Sequence, residues 1–171
     1  MPQQSPRLKI IGTDKKISYR DDEVLRKDLT PNTTYKNQVT GFEYKTNDKG
    51  NPYLIFGEHV KVTKANRTRQ GTSIGKLGKL GDVGGHPIAA TLGADPDAYH
   101  IVPQDAKLNN TKYKKMENFL KKESVAGKDV SMLVAMDKYR GDRPYAFDVL
   151  YQINGVLGPV KRFINRAPRK T

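Results

Sequence analysis

Cysteine is missing from all 171 residues. Its absence removes disulfides, thiolate zinc sites and a cysteine nucleophile together, and fits any compartment. Long apolar runs are missing as well. None approaches the roughly 18 residues of a spanning helix, so no membrane insertion is expected. No charged, then apolar, then small-residue pattern opens the chain, so no signal peptide is read in it. Apolar residues are scarce throughout. A hydrophobic content of 36% and a mean hydropathy of -0.73 suit one moderate core with long loops and exposed arms. Acidic residues are the other shortage, with 18 Asp+Glu against 31 Lys+Arg for a net charge of +13. Such an excess favours polyanions: nucleic acid first, an anionic membrane surface second, an acidic protein third.

The positive charge is concentrated. Residues 61–80 hold Lys61, Lys64, Arg67, Arg69, Lys76 and Lys79 with no acid. Residues 107–128 hold seven lysines against Glu117 and Glu123, and the tail 159–171 holds Lys161, Arg162, Arg166, Arg169 and Lys170. These segments together carry +16, which leaves the rest of the chain at -3. A single charge run is as readily a solvated face as a binding surface. Here two runs flank the glycine-rich stretch GDVGGHPIAATLGADPDAYHIVPQ (81–104), which favours phosphate binding.

Residues 1–34 read as an accessory arm or linker. MPQQSPR is polar and proline-rich, and RDDEVLRKDLTPN has only weak helical spacing (Val24, Leu25, Leu29) before Thr30-Pro31. From Tyr35 the pattern predicts a single domain over 35–171 with a basic C-terminal tail. TYKNQVTGFEYKT and YLIFGEHVKV are rich in aromatic and β-branched residues around an Asn47-Asp48-Lys49-Gly50-Asn51 turn, predicting a hairpin. Residues 63–85 predict a long basic loop. TKYKKMENFLKKES predicts a short helix with Tyr113, Met116 and Leu120 on one face, capped by Asn109-Asn110 or Thr111 and followed by Gly127. SMLVAMDKY, the turn RGDRP, YAFDVLYQI and, past Asn154-Gly155, VLGPVKRFI predict a β-meander. The expected class is α+β.

Spacing dismisses several chemistries. There is no Cys/His cluster, no P-loop pattern and no G-x-S-x-G. GKLGKLGDVGG is glycine-rich but matches no nucleotide fingerprint, and His59 reads as a structural residue in a strand. His86 follows Gly84 and Gly85. Alone, a histidine after two glycines is more often a turn residue leading into the core than a catalyst.

Its neighbours change the reading. Gly84-Gly85-His86, Thr91-Leu92-Gly93, Ile101-Val102-Pro103-Gln104, Leu108-Asn109 and Lys115-Met116-Glu117 follow one another in order, and RGDRPYAFDVLYQING continues the pattern. Together they resemble the DNA/RNA non-specific endonucleases, members of the ββα-metal (His-Me finger) nucleases. The subgroup they resemble most forms C-terminal toxin domains of bacterial polymorphic toxins. The likeness runs from about Tyr35 to about Asn165. It departs from the better-known secreted members at Val83, with the acid one place earlier at Asp82. It also departs at Pro87, where a larger aliphatic is usual, and at His100, where asparagine is common.

The resemblance implies an antiparallel hairpin and a short helix carrying the metal-site residues. It implies a magnesium-dependent endonuclease without sequence preference, acting on DNA or RNA, the choice between them left open. One Mg²⁺ is the expected cofactor, with Mn²⁺ as a substitute. His86 becomes the general base, with Asp82 or a backbone carbonyl orienting its second ring nitrogen. Asn109 becomes the metal ligand, with helix N-cap as the competing role. Glu117, Gln104 and His100 support the site, although Glu117 is also placed for a surface pair with Lys121. Arg67, Arg69, Lys121 and Arg143 become phosphate contacts or, individually, solvated charges. The resemblance further implies a bacterial toxin domain, secreted or delivered into a target-cell cytoplasm, and an acidic immunity protein as partner. A neutral imidazole with an unperturbed pKa of ~6.5 suits deprotonation of water, and Mg²⁺ needs few protein oxygens. The competing expectation is a non-catalytic basic nucleic-acid-binding protein or a degenerate member of the family.

Overall fold

Alternation of buried and more exposed residues, clearest in TYKN, EYKT and VSMLVAMD, builds the main sheet. In the computed structural model, residues 8–11, 29–37, 40–63, 74–94 and 100–168 are described. The strands are β1 (Leu8–Ile11), β2 (Thr34–Asn37), β3 (Glu43–Thr46), β4 (Pro52–Gly57), β5 (Asp82–Gly85), β6 (Val102–Asp105), β7 (Val130–Asp137), β8 (Ala146–Ile153), β9 (Val156–Leu157) and β10 (Lys161–Ile164). Two helices lie between β6 and β7: α1 (Ala106–Asn110) and α2 (Lys112–Val125). The main sheet is antiparallel in the order β1-β2-β3-β4-β7-β8-β10, with β9 added to β8.

Register decides what this sheet buries. Tyr35 pairs with Tyr44, Tyr44 with Ile55, Ile55 with Val134 and Val134 with Val149. All five are fully buried, so one row of the pleat crosses five strands as continuous core. The next rows of β7 and β8 add Met132 opposite Tyr151 and Met136 opposite Phe147. Such cross-strand apolar pairs are the unit of sheet stabilisation, and a one-residue slip would turn every one of them to solvent.

The expected hairpin forms as β3–β4 around the 47–51 turn, and the expected helix forms as α2. Tyr113, Met116 and Leu120 are its buried residues. The ring of Tyr113 meets Phe147 and Phe163 edge-on, with centroids 5.5 and 5.0 Å apart. Cutting Met116 or Leu120 back to alanine would cost about 2–5 kcal/mol by the usual scale for such sites. The chain leaves the helix through Gly127 at φ 88°, a conformation that suits glycine.

β4 and β7 are hydrogen-bonded neighbours, yet residues 58–129 lie between them in the chain. That excursion contains β5, β6, α1 and α2. Its ends are closed by Val60 N–H donating to the Val130 carbonyl (2.7 Å) and by the Ser124 hydroxyl donating to the Val60 carbonyl (3.1 Å). β5 and β6 form their own antiparallel pair.

The structure differs from the sequence expectations in several places. The expected loop over 63–85 ends in a strand, because Asp82–Gly85 finds a partner in β6. Residues 64–73 of that loop lie outside the described residues. His59 stands beyond β4 at φ 54° rather than within a strand. It is exposed, and its Nδ1 lies 2.7 Å from Asp129 Oδ1, which raises its pKa. Within the expected arm, Leu8–Ile11 pairs with β2 and Leu29 is buried, while Val24 and Leu25 lie outside the described residues. Among the described residues no helix is long and apolar enough to cross a membrane.

Candidate active site

β5 ends at Gly85, and His86 is the next residue. Gly85 must lack a side chain here. A Cβ at this position would stand 2.0 Å from Gln104 Oε1 and 2.7 Å from Gln104 Cβ, because the Gln104 side chain covers the strand end from β6. Gly85 thus answers to Gln104, a neighbour from its own hairpin. His86, half-buried, meets the ring of His100 edge-on with centroids 5.1 Å apart, and His100 in turn tilts against Tyr44 at 4.9 Å. His100 is fully buried. Burial, aided by the neighbouring His86, holds its pKa well below the ordinary value, so the ring is neutral. Its Nε2 lies 3.3 Å from the Ile88 carbonyl, which assigns the proton to Nε2 as donor. Among the described residues, His100 Nδ1 and both amide atoms of Gln104 have no hydrogen-bond partner. His100 and Gln104 are therefore buried polar groups beside the Gly85-His86 segment rather than an exposed surface.

At the other end of β5, Asp82 faces Arg143 from the β7–β8 turn. Arg143 Nε donates to Asp82 Oδ2 at 2.7 Å, and one terminal nitrogen donates to Oδ1 at 3.1 Å. The same nitrogen donates to the Asn165 carbonyl at 2.8 Å, and the Lys79 backbone N–H donates to Asp82 Oδ2 at 2.8 Å. This overturns the expectation for Asp82 as the orienting acid of His86. It also gives Arg143 a carboxylate and a carbonyl where a phosphate was expected, because a guanidinium forked onto a buried carboxylate already has its charge compensated. Asn165 completes this corner: it donates to the carbonyls of Pro103 (3.0 Å) and Pro144 (2.9 Å), and accepts from Asp105 N–H (2.8 Å).

The helical side starts from Asp105. Its Oδ1 accepts from Leu108 N–H at 3.0 Å, which makes Asp105 the N-cap of α1. Asn109 and Asn110 consequently lie inside a helical turn instead of capping α2, and the Thr111 hydroxyl donates back to the Lys107 carbonyl. Asn109 is half-buried, and among the described residues its amide makes no hydrogen bond. On α2, the buried Tyr113 hydroxyl donates to the Pro87 carbonyl at 2.5 Å, tying the helix to the residue after His86. One helical turn further, Glu117 shares the face of Tyr113. Burial raises its pKa to about 7, against the opposing pull of Lys121 and Lys114. Glu117 makes no ion pair with Lys121, so the expected surface pair does not form.

The structure thus joins Gly85 to Gln104, His86 to His100, and the His86 loop to α2. Arg67 and Arg69 lie outside the described residues. Lys121 is half-buried on α2. Asn109 offers an amide oxygen and Glu117 a carboxylate, both donor types suited to a hard cation. Among the described residues no group of three or more His, Cys, Asp or Glu is placed to hold a metal. Sequence reasoning missed two supports of this site: the Tyr113 hydroxyl, read only as core, and Asn165. A cap at Asp105 was visible as an aspartate three residues before Leu108.

The DNA/RNA non-specific endonuclease family matches residues 31–155. No curated protein matches the chain. Among solved structures, NucA from Streptococcus agalactiae with no metal bound is 16% identical with a TM-score of 0.57, covering 82% of this chain and 84% of that one. NucA from the same organism with a magnesium ion bound is 17% identical with a TM-score of 0.59, covering 73% of this chain and 70% of that one. The likeness to NucA is one of fold, whereas the family match spans β2 to the turn after β8 and contains His86, Asn109 and Glu117. The chain belongs to the DNA/RNA non-specific endonuclease family and is an enzyme of that kind.

Proposed function

We propose that this chain is a magnesium-dependent, sequence-non-specific endonuclease of ββα-metal architecture, with β5, β6 and α2 as its ββα unit. The observation that carries the reading is His86 directly after the paired glycines that end β5, its ring against the buried His100, with Gln104 packed on Gly85 beside it. His86 takes the proton from the attacking water on one imidazole nitrogen. A neutral His100 places no second positive charge beside that base. Asn109 would hold the metal through its amide oxygen, and Glu117 would orient water in its shell. The metal, when bound, neutralises phosphate charge and stabilises the leaving oxygen. The uncommitted Asn109 amide and the hard oxygen donors fit magnesium, with manganese as a substitute, and the magnesium-bound form of NucA supports the choice. Lys121 and the basic 61–80 segment with Arg67 and Arg69 hold phosphates without reading bases.

Purified protein incubated with supercoiled DNA and with RNA tests this directly. Degradation of either in magnesium, abolished by EDTA, is the expected result. Binding without cleavage in magnesium would contradict it and favour a non-catalytic nucleic-acid-binding protein. The proposal extends to a toxin domain delivered into target-cell cytoplasm and held in check by an acidic immunity protein. Its support is the motif order and a net charge of +13, which suits fast association with an acidic partner. Expression in bacteria without damage to cellular nucleic acid would contradict that extension.

A further inference from the structure

The β7–β8 turn and the loop before β5 enclose a cleft of about 540 Å³, lined among others by Leu77, Lys79, Lys138, Arg140 and Tyr145. Its frame is rigid. Arg140 and Arg143 exchange backbone hydrogen bonds at 2.9 and 3.2 Å. Tyr145 N–H donates to the Asp137 carbonyl, and its carbonyl accepts from Asn165 N–H. Arg143, also in the lining, is held by Asp82, and the Tyr139 hydroxyl donates to the Pro52 carbonyl.

The groups left facing outward are of two kinds. Tyr145 is 46% exposed and Leu77 50% exposed, an apolar pair on a strongly basic chain. Lys79, Lys138 and Arg140 form no ion pair with a described carboxylate, although Asp142 sits in the same turn and Asp137 lies 3.9 Å from Arg162. Lys138 Nζ stands 5.8 Å from the centre of the Tyr145 ring. An exposed aromatic ring with one lysine against it, and two further cations lining the same cleft, suits an unpaired base whose phosphates are neutralised.

We propose that this cleft is a second nucleic-acid subsite, in which Tyr145 stacks one unpaired base and Lys79, Lys138 and Arg140 hold the adjoining phosphates. The proposal rests on the nuclease reading for its substrate class, single-stranded DNA or RNA. Asp82, bound to Arg143 in the cleft lining, and His86 stand at opposite ends of β5, about 13 Å apart at the usual rise per residue. A strand of a few nucleotides spans that distance, so one strand can engage both places. A base still paired cannot present its face to Tyr145. The cleft therefore favours single-stranded or frayed substrate over duplex.

The test is fluorescence anisotropy in EDTA, which suspends cleavage, with a short labelled single-stranded deoxyoligonucleotide and its duplex. Tyr145→Ala should weaken single-strand binding on the order of ten-fold and duplex binding by less than about two-fold. Tyr53→Ala removes an exposed tyrosine elsewhere and should change neither. Lys138→Ala combined with Arg140→Ala should flatten the single-strand salt slope by about one to two. Unchanged single-strand affinity in a folded Tyr145→Ala protein overturns the proposal. If that variant fails to fold, an unchanged salt slope in the lysine–arginine variant overturns it instead. Protein that binds single strands through Tyr145 but never cleaves in magnesium would sink the nuclease reading alone. Cleaving protein with unchanged Tyr145→Ala binding would sink the cleft alone.

Discussion

Asp82 and Arg143, 61 residues apart in sequence, form a two-pronged ion pair with side chains only 1% and 12% exposed. The pair fixes the start of β5 to the β7–β8 turn, and through it the strand that delivers His86. Removing one partner leaves the other charge buried and uncompensated. Arg143→Ala or Asp82→Ala should each lower unfolding free energy by about 3–5 kcal/mol, and the double replacement should cost well under the sum. Additive losses in denaturant unfolding would show that the two charges do not depend on each other.

Gly85 offers a second, independent probe of the same strand. Gly85→Ala forces a methyl group into Gln104, and should cost about 1–3 kcal/mol. Gln104→Ala in the same chain should recover part of that loss, since it removes the amide group but leaves the Cβ that also crowds the added methyl. Equal destabilisation with and without the Gln104 replacement would mean that the Gln104 amide is not what demands glycine.

Much of this fold was legible in the sequence because its signals are local. The period-two pattern of Val130, Met132, Val134 and Met136 marks β7, and the spacing of Tyr113, Met116 and Leu120 marks α2. The order of Gly84-Gly85-His86, Leu108-Asn109 and Glu117 was enough to suggest the family. What joins those pieces is not local. Asp82 with Arg143, Tyr113 with Pro87 and Asn165 with Pro103 link residues 61, 26 and 62 positions apart. No periodicity records such pairs. In the sequence alone Arg143 is therefore a cation without a visible partner, and the asparagine doublet is a stronger cap signal than Asp105, which caps α1.

Glu117 should leave a signature in the pH dependence of stability. Its pKa rises from 4.5 to about 7 in the fold. Below the lower value it is protonated in both states and costs nothing. Across the window the unfolded chain releases the proton while the fold retains it, so stability falls as pH rises and levels off above the folded value. Glu117→Gln should abolish that fall in metal-free buffer and be more stable above neutrality by up to ~3 kcal/mol. Parallel stability curves for the two proteins would contradict a carboxyl whose burial outweighs the pull of Lys121 and Lys114.

Asn109→Ala separates ligand from cap. Asp105 already caps α1, so thermal stability should change little. The magnesium concentration for half-maximal cleavage should rise at least by the ~10–100-fold that outer metal partners command. A variant that loses stability and keeps its magnesium response would make Asn109 a structural residue.

The most direct measurement is plasmid cleavage by His86→Ala, with circular dichroism and DNA binding in EDTA as checks on fold and surface. A folded variant that binds DNA like the parent and cleaves it slower by at least ~10²-fold, the scale of a positioned base, is the predicted result. Cleavage within a few-fold of the parent would contradict the assignment of His86, and with it the active site described around β5.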